Sequence, residues 1–252
     1  MIPVSLQFWS LNKEFSEDFA GTAKKIGQIG YKAIEFGFNT GDPRPAKERH
    51  KILSDAGLKV SSMHASVGAM EDQFDEVIDM AKTIGTNYII TPWMPPELFT
   101  SVKSCSELGQ RFAAIGKKTR EAGLLYGYHN HDFDYALLEG RPAMEWVLEA
   151  AEPRDVVAQI DVYWVYAAGG DPAKAIARAG ARCRTLHIKD GTREPKITTE
   201  FGKGKVDLPA VFAEAERHNF VEWYVVEQEA YDCDPFDSLR RNLEYLKKLG
   251  KA

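Results

Sequence analysis

The 252-residue chain contains six histidines, and their positions suggest chemistry. Four of them lie at or within two residues of the end of a short apolar run typical of a β-strand: His64, His129, His131 and His187. The other two, His50 and His218, fall in helical patterns, and we predict that they lie at the surface. Imidazole can bind a metal or transfer a proton near neutral pH, so four histidines at strand ends predict a functional site.

Carboxylates accompany these histidines. Two end strongly apolar runs, one lies inside such a run and one follows the histidine pair: Asp161, Glu227, Glu35 and Asp134. A carboxylate at the end of an apolar strand is costly to desolvate unless it is paired or bound to a metal, although capping of the next helix explains Asp161 equally well. Asp161, His187 and Glu227 fall on three consecutive strands, where they can bind one divalent cation. Mixed imidazole and carboxylate ligands suit Mn, Co, Zn or Fe better than Ca.

Strand-like and helical patterns alternate along the chain, which is typical of a parallel sheet. The strand-like runs are Val4–Trp9, Ala33–Phe38, Lys59–His64, Tyr88–Thr91, Leu124–His129, Val156–Asp161, Arg184–Ile188 and Trp223–Glu227. The clearest helical patterns are Phe19–Ile29, Glu71–Ile84, Leu108–Glu121 and Phe236–Leu249. Eight strand–helix units of about 31 residues predict a closed (β/α)8 TIM barrel, an α/β fold with its active site at the carboxyl ends of the strands. An open doubly wound sheet is the alternative, but no GxGxxG loop follows the first strand, so we predict a single barrel domain over residues 1–252.

The composition fits a globular protein that acts on small molecules. With 37 acidic and 32 basic residues the formal net charge is −5, and no basic patch is visible, which argues against a nucleic-acid partner. Three distant cysteines without a CxxC pair do not form a disulfide framework. The first residues lack a signal-peptide pattern and no run of about 18 apolar residues occurs, so we expect a cytoplasmic protein without a membrane partner. The sequence does not distinguish a monomer from a homo-oligomer.

Four segments, in this order, carry a family resemblance: Tyr128–Tyr135 (YHNHDFDY), Asp161–Trp164 (DVYW), Leu186–Asp190 (LHIKD) and Val226–Glu229 (VEQE). They resemble the sugar phosphate isomerase/epimerase superfamily of xylose isomerase-like TIM barrels, in the branch with a YHNH motif. The resemblance covers essentially the whole chain. It implies a metal-dependent isomerase or epimerase of carbohydrate metabolism whose substrate is a small sugar or sugar derivative.

The resemblance also implies a set of metal ligands. Family members hold one divalent cation with a Glu, an Asp, a His and a second Glu from strands five to eight, and the last three correspond here to Asp161, His187 and Glu227. The first corresponds to Asp134, where the motif usually has Glu, so a water could mediate the bond. Three other side chains are alternatives for that position: His129, His131 and Glu139. Mn is the favoured metal, with Co, Zn, Fe or Mg as alternatives.

The mechanism implied by the family removes a proton next to a carbonyl group. The metal polarises the carbonyl and hydroxyl oxygens and stabilises an enediolate, while Glu227 and Asp134 act as base and acid. Eight side chains are predicted to bind the substrate: Trp9, Glu35, His64, Trp93, His129, His131, Trp164 and Lys189. For Lys189, a salt bridge with Asp190 or Glu229 is an equally good explanation.

Other functions remain as alternatives. The same site could carry out a β-elimination, as in inosose dehydratase or 3-keto-glycoside lyase relatives, which the YHNH motif slightly favours. A non-catalytic sugar-binding barrel predicts a broken ligand set, and an endonuclease-like protein predicts a basic face; the sequence shows neither. The loop Gly202-Lys-Gly-Lys205 could bind a phosphate through its backbone, with a flexible turn as the simpler alternative.

Overall fold

The computed structural model describes residues 1–217 and 219–252, so the prediction for His218 lies outside the described residues. Eight barrel strands are present: β1 (Val4–Gln7), β2 (Ala33–Gly37), β3 (Lys59–His64), β4 (Tyr88–Thr91), β5 (Leu125–His129), β6 (Val157–Asp161), β7 (Cys183–Ile188) and β8 (Trp223–Val226). They pair in parallel and close in the order β1-β8-β7-β6-β5-β4-β3-β2. This confirms the predicted (β/α)8 TIM barrel.

Helices surround the strands: α1 (Asn12–Glu17), α2 (Phe19–Ile29), α3 (Ala46–Asp55), α4 (Val67–Asp72), α5 (Phe74–Ile84), α6 (Val102–Glu121), α7 (Ala143–Glu149), α8 (Val162–Ala167), α9 (Pro172–Ala179), α10 (Leu208–Arg217) and α11 (Pro235–Lys248). Short 3-10 helices span Phe8–Leu11, Pro96–Phe99, Phe133–Tyr135 and Gly180–Arg182. Two hairpins lie outside the barrel, Leu137–Leu138 with Arg141–Pro142 and Asp190–Arg193 with Lys196–Thr199. Within the described chain, no helix combines the length and the hydropathy needed to cross a membrane.

Two helix starts differ from the sequence prediction because side chains cap them. The helix predicted over Glu71–Ile84 is two helices, α4 and α5, and α4 begins after Ser66, whose side chain accepts a hydrogen bond from the Ala69 N–H. α6 begins well before the predicted start, after a capping box formed by Ser101 and Ser104. Apolar periodicity does not detect such caps, so it misplaced both starts.

The interior of the barrel changes from apolar to polar along its axis. Tyr88, Ile90 and Val157 form a small apolar cluster. Gly127 lies beside it, where a Cβ would approach Val157 Cγ2 to 2.7 Å and Ile90 Cδ1 to 2.8 Å. Towards the carboxyl ends, buried polar side chains replace this cluster: Gln7, Glu35, His129, Gln159, Asp161 and His187. Because barrel interiors are usually filled by branched apolar residues, this polar layer marks the functional end.

A larger apolar core lies between the strands and the helices. Outward positions such as Leu6 and Ile160 are buried in this core, as are Val77 and Ile84 on α5. α5 ends at Gly85, whose φ of 78° is a left-handed conformation that favours glycine. Each fully buried aliphatic side chain contributes roughly 1.5–3 kcal/mol, so this outer layer stabilises the barrel and leaves the interior free to carry polar groups.

Candidate active site

Four buried side chains bring ligand-type atoms together at the carboxyl end of the barrel: His129, Asp161, His187 and Glu227. One atom of each lies within 4.8 Å of the others. Asp161 Oδ2 is 3.9 Å from His187 Nδ1 and 4.0 Å from His129 Nε2. Glu227 Oε2 is 2.9 Å from His187 Nδ1. Two tetrahedral ligands at about 2.1 Å from a metal are about 3.4 Å apart, so the spacing of this ligand cluster fits one divalent cation.

The two carboxylate oxygens of Asp161 have different surroundings. Oδ1 accepts a hydrogen bond from the Trp164 N–H at 3.0 Å and caps α8, whereas Oδ2 is buried without a hydrogen-bond partner. The Asn130 side chain fixes the Asp161 backbone, accepting from its N–H at 2.9 Å and donating to its carbonyl at 3.4 Å. A buried oxygen without a partner is costly, so Oδ2 supports a cation site. Both explanations offered for Asp161 therefore have a structural basis, one at each oxygen.

His187 lies between two carboxylates. Its Nε2 is 2.6 Å from Glu35 Oε1, and its Nδ1 is 2.9 Å from Glu227 Oε2. Burial lowers the pKa of His187, but the two carboxylates outweigh this effect and raise the pKa to about 10. Because Glu35 contacts Nε2, the nitrogen directed at the ligand cluster is Nδ1. A carboxylate commonly orients a metal-binding histidine in this way.

Glu35 is fully buried behind the ligand cluster. Its carboxylate accepts hydrogen bonds from Gln7 Nε2 at 2.8 Å, from Gln159 Nε2 at 2.6 Å and from the Ser62 hydroxyl. Burial alone would raise the pKa of Glu35, but the neighbouring histidines hold it well below its usual range. The geometry does not support the substrate contact predicted for Glu35 and instead gives it contacts that fix its position.

Lys189 is a buried cation beside the ligand cluster. Its Nζ lies 3.0 Å from Glu227 Oε2, 3.5 Å from Asp161 Oδ2 and 3.3 Å from Glu229 Oε1. It also lies 5.0 Å from the centre of the Trp164 ring. Of the two salt bridges offered for Lys189, the one with Glu229 is formed. The lysine therefore balances the charge of the carboxylates around it.

The two carboxylates of the ligand cluster differ in pKa. Burial raises the pKa of Asp161 to about 6, although Lys189 opposes this shift. Burial would also raise the pKa of Glu227, but Lys189 and His187 outweigh it and hold this pKa below its usual range. The stronger contacts of Glu227 with cationic side chains account for the difference.

The neighbouring Asp190 faces the glycine-rich loop instead. Its Oδ1 accepts hydrogen bonds from the N–H groups of Gly191 at 2.8 Å and Val206 at 3.1 Å. Its Oδ2 accepts from those of Gly202 at 2.9 Å and Gly204 at 3.1 Å. A Cβ at Gly204 would collide with this carboxylate, which accounts for the glycine there. The loop thus uses these N–H groups for a carboxylate of its own chain, and they are not free for a phosphate.

The Asp134 carboxylate lies outside the ligand cluster. Its Oδ2 accepts hydrogen bonds from the Tyr128 hydroxyl at 2.9 Å and from the His131 N–H at 2.8 Å. Burial raises the pKa of Asp134 well above its usual value. The pKa of the buried Cys105 thiol on α6 is also raised, by burial and then by the charge of Asp134. The other oxygen of Asp134, Oδ1, is buried without a hydrogen-bond partner, but the carboxylate is not among the atoms that converge in the ligand cluster. These contacts do not support the ligand and acid–base roles predicted for Asp134.

His129 supplies the fourth atom of the ligand cluster, and its Nδ1 is buried without a hydrogen-bond partner. The other two alternatives lie elsewhere. The His131 ring is stacked on Phe133 with centres 5.6 Å apart and also contacts Trp164, while Glu139 is exposed in a turn. Among the alternatives offered for the first ligand, the geometry favours His129.

A cavity of about 420 Å³ opens onto the ligand cluster, a volume suited to a small ligand. Four residues predicted to bind substrate line it: Trp9, His64, His129 and His131. The other four do not line it: Glu35, Trp93, Trp164 and Lys189. Glu227 and Glu229 also line the cavity. Trp9 is 59% exposed and presents an apolar ring at the cavity mouth.

Sequence reasoning missed the glutamines and the asparagine that support the site. Gln159 donates to Glu35 and to the Thr185 hydroxyl at 3.0 Å, and its Oε1 is 2.9 Å from His64 Nε2. A signal was present, because Gln159 lies two residues before Asp161 and therefore on the same face of β6. A polar residue in phase with a predicted ligand is a candidate support for it.

Comparisons with known proteins point to the same fold. The model of the xylose isomerase-like TIM barrel family matches residues 23–249. An inosose dehydratase from Mesomycoplasma hyopneumoniae strain 7448 is 21% identical in an alignment that covers 92% of this chain and 88% of that protein.

Two solved structures are similar over nearly their whole length. A sugar phosphate isomerase/epimerase from Parabacteroides distasonis has a TM-score of 0.84 and 23% identity, with coverage of 98% of this chain and 93% of that one. A probable 3-DHS dehydratase involved in petrobactin synthesis in Bacillus anthracis has a TM-score of 0.77 and 14% identity, with coverage of 98% and 99%. At these identities the likeness shows the fold alone.

Proposed function

The chain belongs to the family of xylose isomerase-like TIM barrels, and from that premise we propose that it is a divalent-metal-dependent sugar isomerase or epimerase. The reaction begins with removal of a proton from the carbon next to a carbonyl group of a ketose or keto-sugar. The observation that carries this proposal is the convergence of four ligand-type atoms, one of them a carboxylate oxygen without a hydrogen-bond partner, at a cavity of sugar size.

The ligand cluster defined above would hold the metal ion. When bound, a divalent cation supplies Lewis-acid polarisation of substrate oxygens. Two imidazoles and two carboxylates suit Mn²⁺, which we favour, and also Co²⁺, Zn²⁺ or Fe²⁺, whereas Mg²⁺ prefers a set of oxygen ligands. Two further side chains orient ligands: Glu35 contacts the Nε2 of His187, and Asn130 fixes the backbone of Asp161.

Glu227 is the proposed proton-transfer group. Glu227 and Glu229 both line the cavity and both contact Lys189, so they lie on one wall. Either carboxylate can therefore return a proton to the face of the substrate from which Glu227 removed it. Epimerisation needs a donor on the opposite face of the substrate. His64 also lines the cavity, on β3, three strands away from β8 around the barrel, and is the proposed donor once its Nε2 exchanges Gln159 Oε1, 2.9 Å away, for the substrate.

A second candidate function is a β-elimination by an inosose dehydratase-like enzyme or a 3-keto-glycoside lyase. The names of the relatives favour it, because one is an inosose dehydratase and one structural neighbour is a probable 3-DHS dehydratase. The same residues would remove the same proton. The hydroxyl or alkoxyl group on the following carbon then leaves, instead of a proton returning to the carbon.

Incubation of Mn²⁺-loaded protein with ketoses and inososes in D₂O tests both candidates. An isomerase or epimerase gives an isomeric product with one deuterium at the carbon next to the carbonyl, whereas a lyase gives a product that has lost water or an alcohol. Glu227→Gln should abolish either product, and Glu139→Gln, which alters an exposed carboxylate, is the matched control. Absence of exchange and of elimination across the panel in metal-saturated protein contradicts the proposal.

A further inference from the structure

The charge on the cavity walls restricts the sugar that the site accepts. Glu227 and Glu229 line the cavity together with neutral side chains such as Asn12, Asn39 and Thr40. Over residues 1–217 and 219–252, no lysine or arginine lines it. A phosphate ester carries about 1.5 to 2 negative charges near neutral pH and binds best to cations or to free N–H groups.

Lys189, the buried cation beside the ligand cluster, already pairs with carboxylates of the chain. Lys189 Nζ contacts the carboxylates of Asp161, Glu227 and Glu229 at 3.0–3.5 Å. The ammonium group donates a hydrogen bond to Glu227 Oε2, and the carboxylates of Asp161 and Glu229 also lie within ion-pair distance, so its charge is already balanced within the chain. Lys189 is also fully buried and does not line the cavity.

Backbone N–H groups of the glycine-rich loop after β7 also have partners within the chain. The N–H groups of Gly202, Gly204 and Val206 donate to Asp190, a carboxylate of the same chain. Lys203 in this loop forms an ion pair with Glu200 at 2.9 Å. An anionic substrate therefore gains none of these donors from the loop.

A third cationic side chain, Arg49, contacts the cavity wall from its outer side. Arg49 Nη1 is 3.3 Å from the Thr40 hydroxyl, and its Nη2 is 3.6 Å from Met80 Sδ. Its guanidinium lies 5.7 Å from the centre of the Phe36 ring. These contacts pack it against the outer side of the wall, so it supports Thr40 and does not line the cavity.

On the premise of the proposed function, we infer that the substrate is uncharged, a neutral keto-sugar or cyclic keto-polyol without phosphate or carboxylate. Trp9 offers an apolar face to the C–H groups of a ring, and Asn12, Asn39 and Thr40 offer neutral partners for hydroxyl groups. His187 and the proposed metal lie at the ligand cluster, where the carbonyl end of the substrate binds, so a phosphate elsewhere on the sugar would meet no lysine or arginine on the described cavity wall, which disfavours its binding.

The test compares a neutral ketose with its own phosphate ester, using fructose with fructose 6-phosphate and tagatose with tagatose 6-phosphate. Deuterium uptake from D₂O by Mn²⁺-loaded protein measures turnover, and titration calorimetry on the same pairs measures affinity. We expect the neutral member to have at least about 100-fold higher kcat/KM and affinity, because like charges at short range disfavour the ester. An ester that reacts or binds as well as the neutral sugar overturns the inference.

Failure of the proposed function gives a different result from failure of this inference. If no pair exchanges deuterium, the proposed function fails, and calorimetry still decides the charge of the ligand. Tighter binding of the neutral sugar then supports the inference. Tighter binding of the ester, or binding of neither member, overturns it.

A variant with an added charge tests the physical cause. Asn39 is exposed and lines the cavity, so Asn39→Lys should fold and place a cation at the mouth. We expect it to raise the affinity for the ester relative to the neutral sugar by about fivefold, while Asn39→Gln leaves the ratio unchanged. An unchanged ratio in Asn39→Lys would mean that size and not charge excludes the ester, which contradicts the inference.

Discussion

The LHIKD segment contributes to two buried charged sites that satisfy their carboxylates in opposite ways. His187 belongs to the ligand cluster, Lys189 contacts it, and Asp190 binds the glycine-rich loop. Each oxygen of Asp190 accepts two backbone N–H groups. In the ligand cluster, by contrast, Asp161 Oδ2 has no hydrogen-bond partner, and Glu227 Oε2 is contacted by the side chains of His187 and Lys189.

This difference separates a structural carboxylate from one that is available to a ligand. Backbone N–H groups cannot exchange their acceptor for a ligand without unfolding the loop, whereas a free lone pair, or one held by side chains, can accept a cation. Substitutions at Asp190 should therefore lower stability, and substitutions in the ligand cluster should lower metal affinity and turnover.

Glu227→Gln should have the largest effect. We expect turnover of metal-saturated protein to fall by about 10²–10⁴-fold, because the amide cannot transfer the proton. The free energy of unfolding should fall by only about 1.5–3 kcal/mol, because the amide keeps the shape of the side chain but loses the charge that pairs with Lys189 and His187. Steady-state kinetics and denaturant unfolding on the same sample measure both quantities. Unchanged turnover would remove Glu227 from the mechanism.

Asp190→Asn should act on stability instead. The amide nitrogen would face two backbone N–H groups that now donate to Oδ2, and leaving both without an acceptor should lower the free energy of unfolding by about 3 kcal/mol. Metal affinity of the folded variant should stay within about twofold. Urea unfolding and a chelator competition measure the two quantities. A loss of metal affinity at unchanged stability would reverse the contrast drawn above.

Glu35→Gln tests whether a fully buried carboxylate can act on the metal site through His187. We expect metal affinity to fall by about 10–100-fold, because the amide no longer fixes the imidazole as firmly. Chelator competition measures the affinity, and ¹⁵N NMR of the His187 ring reports which nitrogen carries the proton. Glu200→Gln, which removes a carboxylate bound to Arg241, is the control. Equal affinities and an unchanged ring spectrum would make Glu35 a structural residue like Asp190.

Asp134→Asn should have the smallest effect. The contacts of Asp134 with the Tyr128 hydroxyl and the His131 N–H can persist with an amide oxygen. We therefore expect metal affinity within about threefold and a loss of about 1 kcal/mol of stability at most. If metal affinity instead falls by tenfold or more in the chelator competition, the ligand role that the family motif implies for Asp134 is restored.

The strands and three atoms of the ligand cluster were predictable from the sequence because the signals are local. Each barrel strand is a short apolar run, and Asp161, His187 and Glu227 end three strands that are consecutive in the chain and adjacent in the barrel. In a parallel barrel this adjacency brings their side chains to one rim. Local pattern and barrel topology together were therefore enough to predict this convergence.

The remaining contacts depend on details that a local pattern does not contain. β5 ends at His129, and the 3-10 helix Phe133–Tyr135 then directs Asp134 to Tyr128 rather than to the ligand cluster. The contact of Gln159 with Glu35 crosses the barrel, so neither sequence neighbourhood indicates it. The position of a strand end and a pairing across the interior decide these roles, and both need the closed fold.

The contact between Glu35 and His187 has a consequence for folding. The two residues are 152 positions apart in the chain, and the contact of Glu35 with Gln159 spans 124 positions. Ordering so long a loop costs entropy that no local helix or hairpin recovers, so these contacts cannot form before most of the barrel is in place. A half-barrel intermediate that contains β1–β4 has Glu35 without His187, and one that contains β5–β8 has His187 without Glu35. The complete ligand cluster is therefore a late product of folding, and the proposed cation affinity would mark the chains in which the barrel has closed.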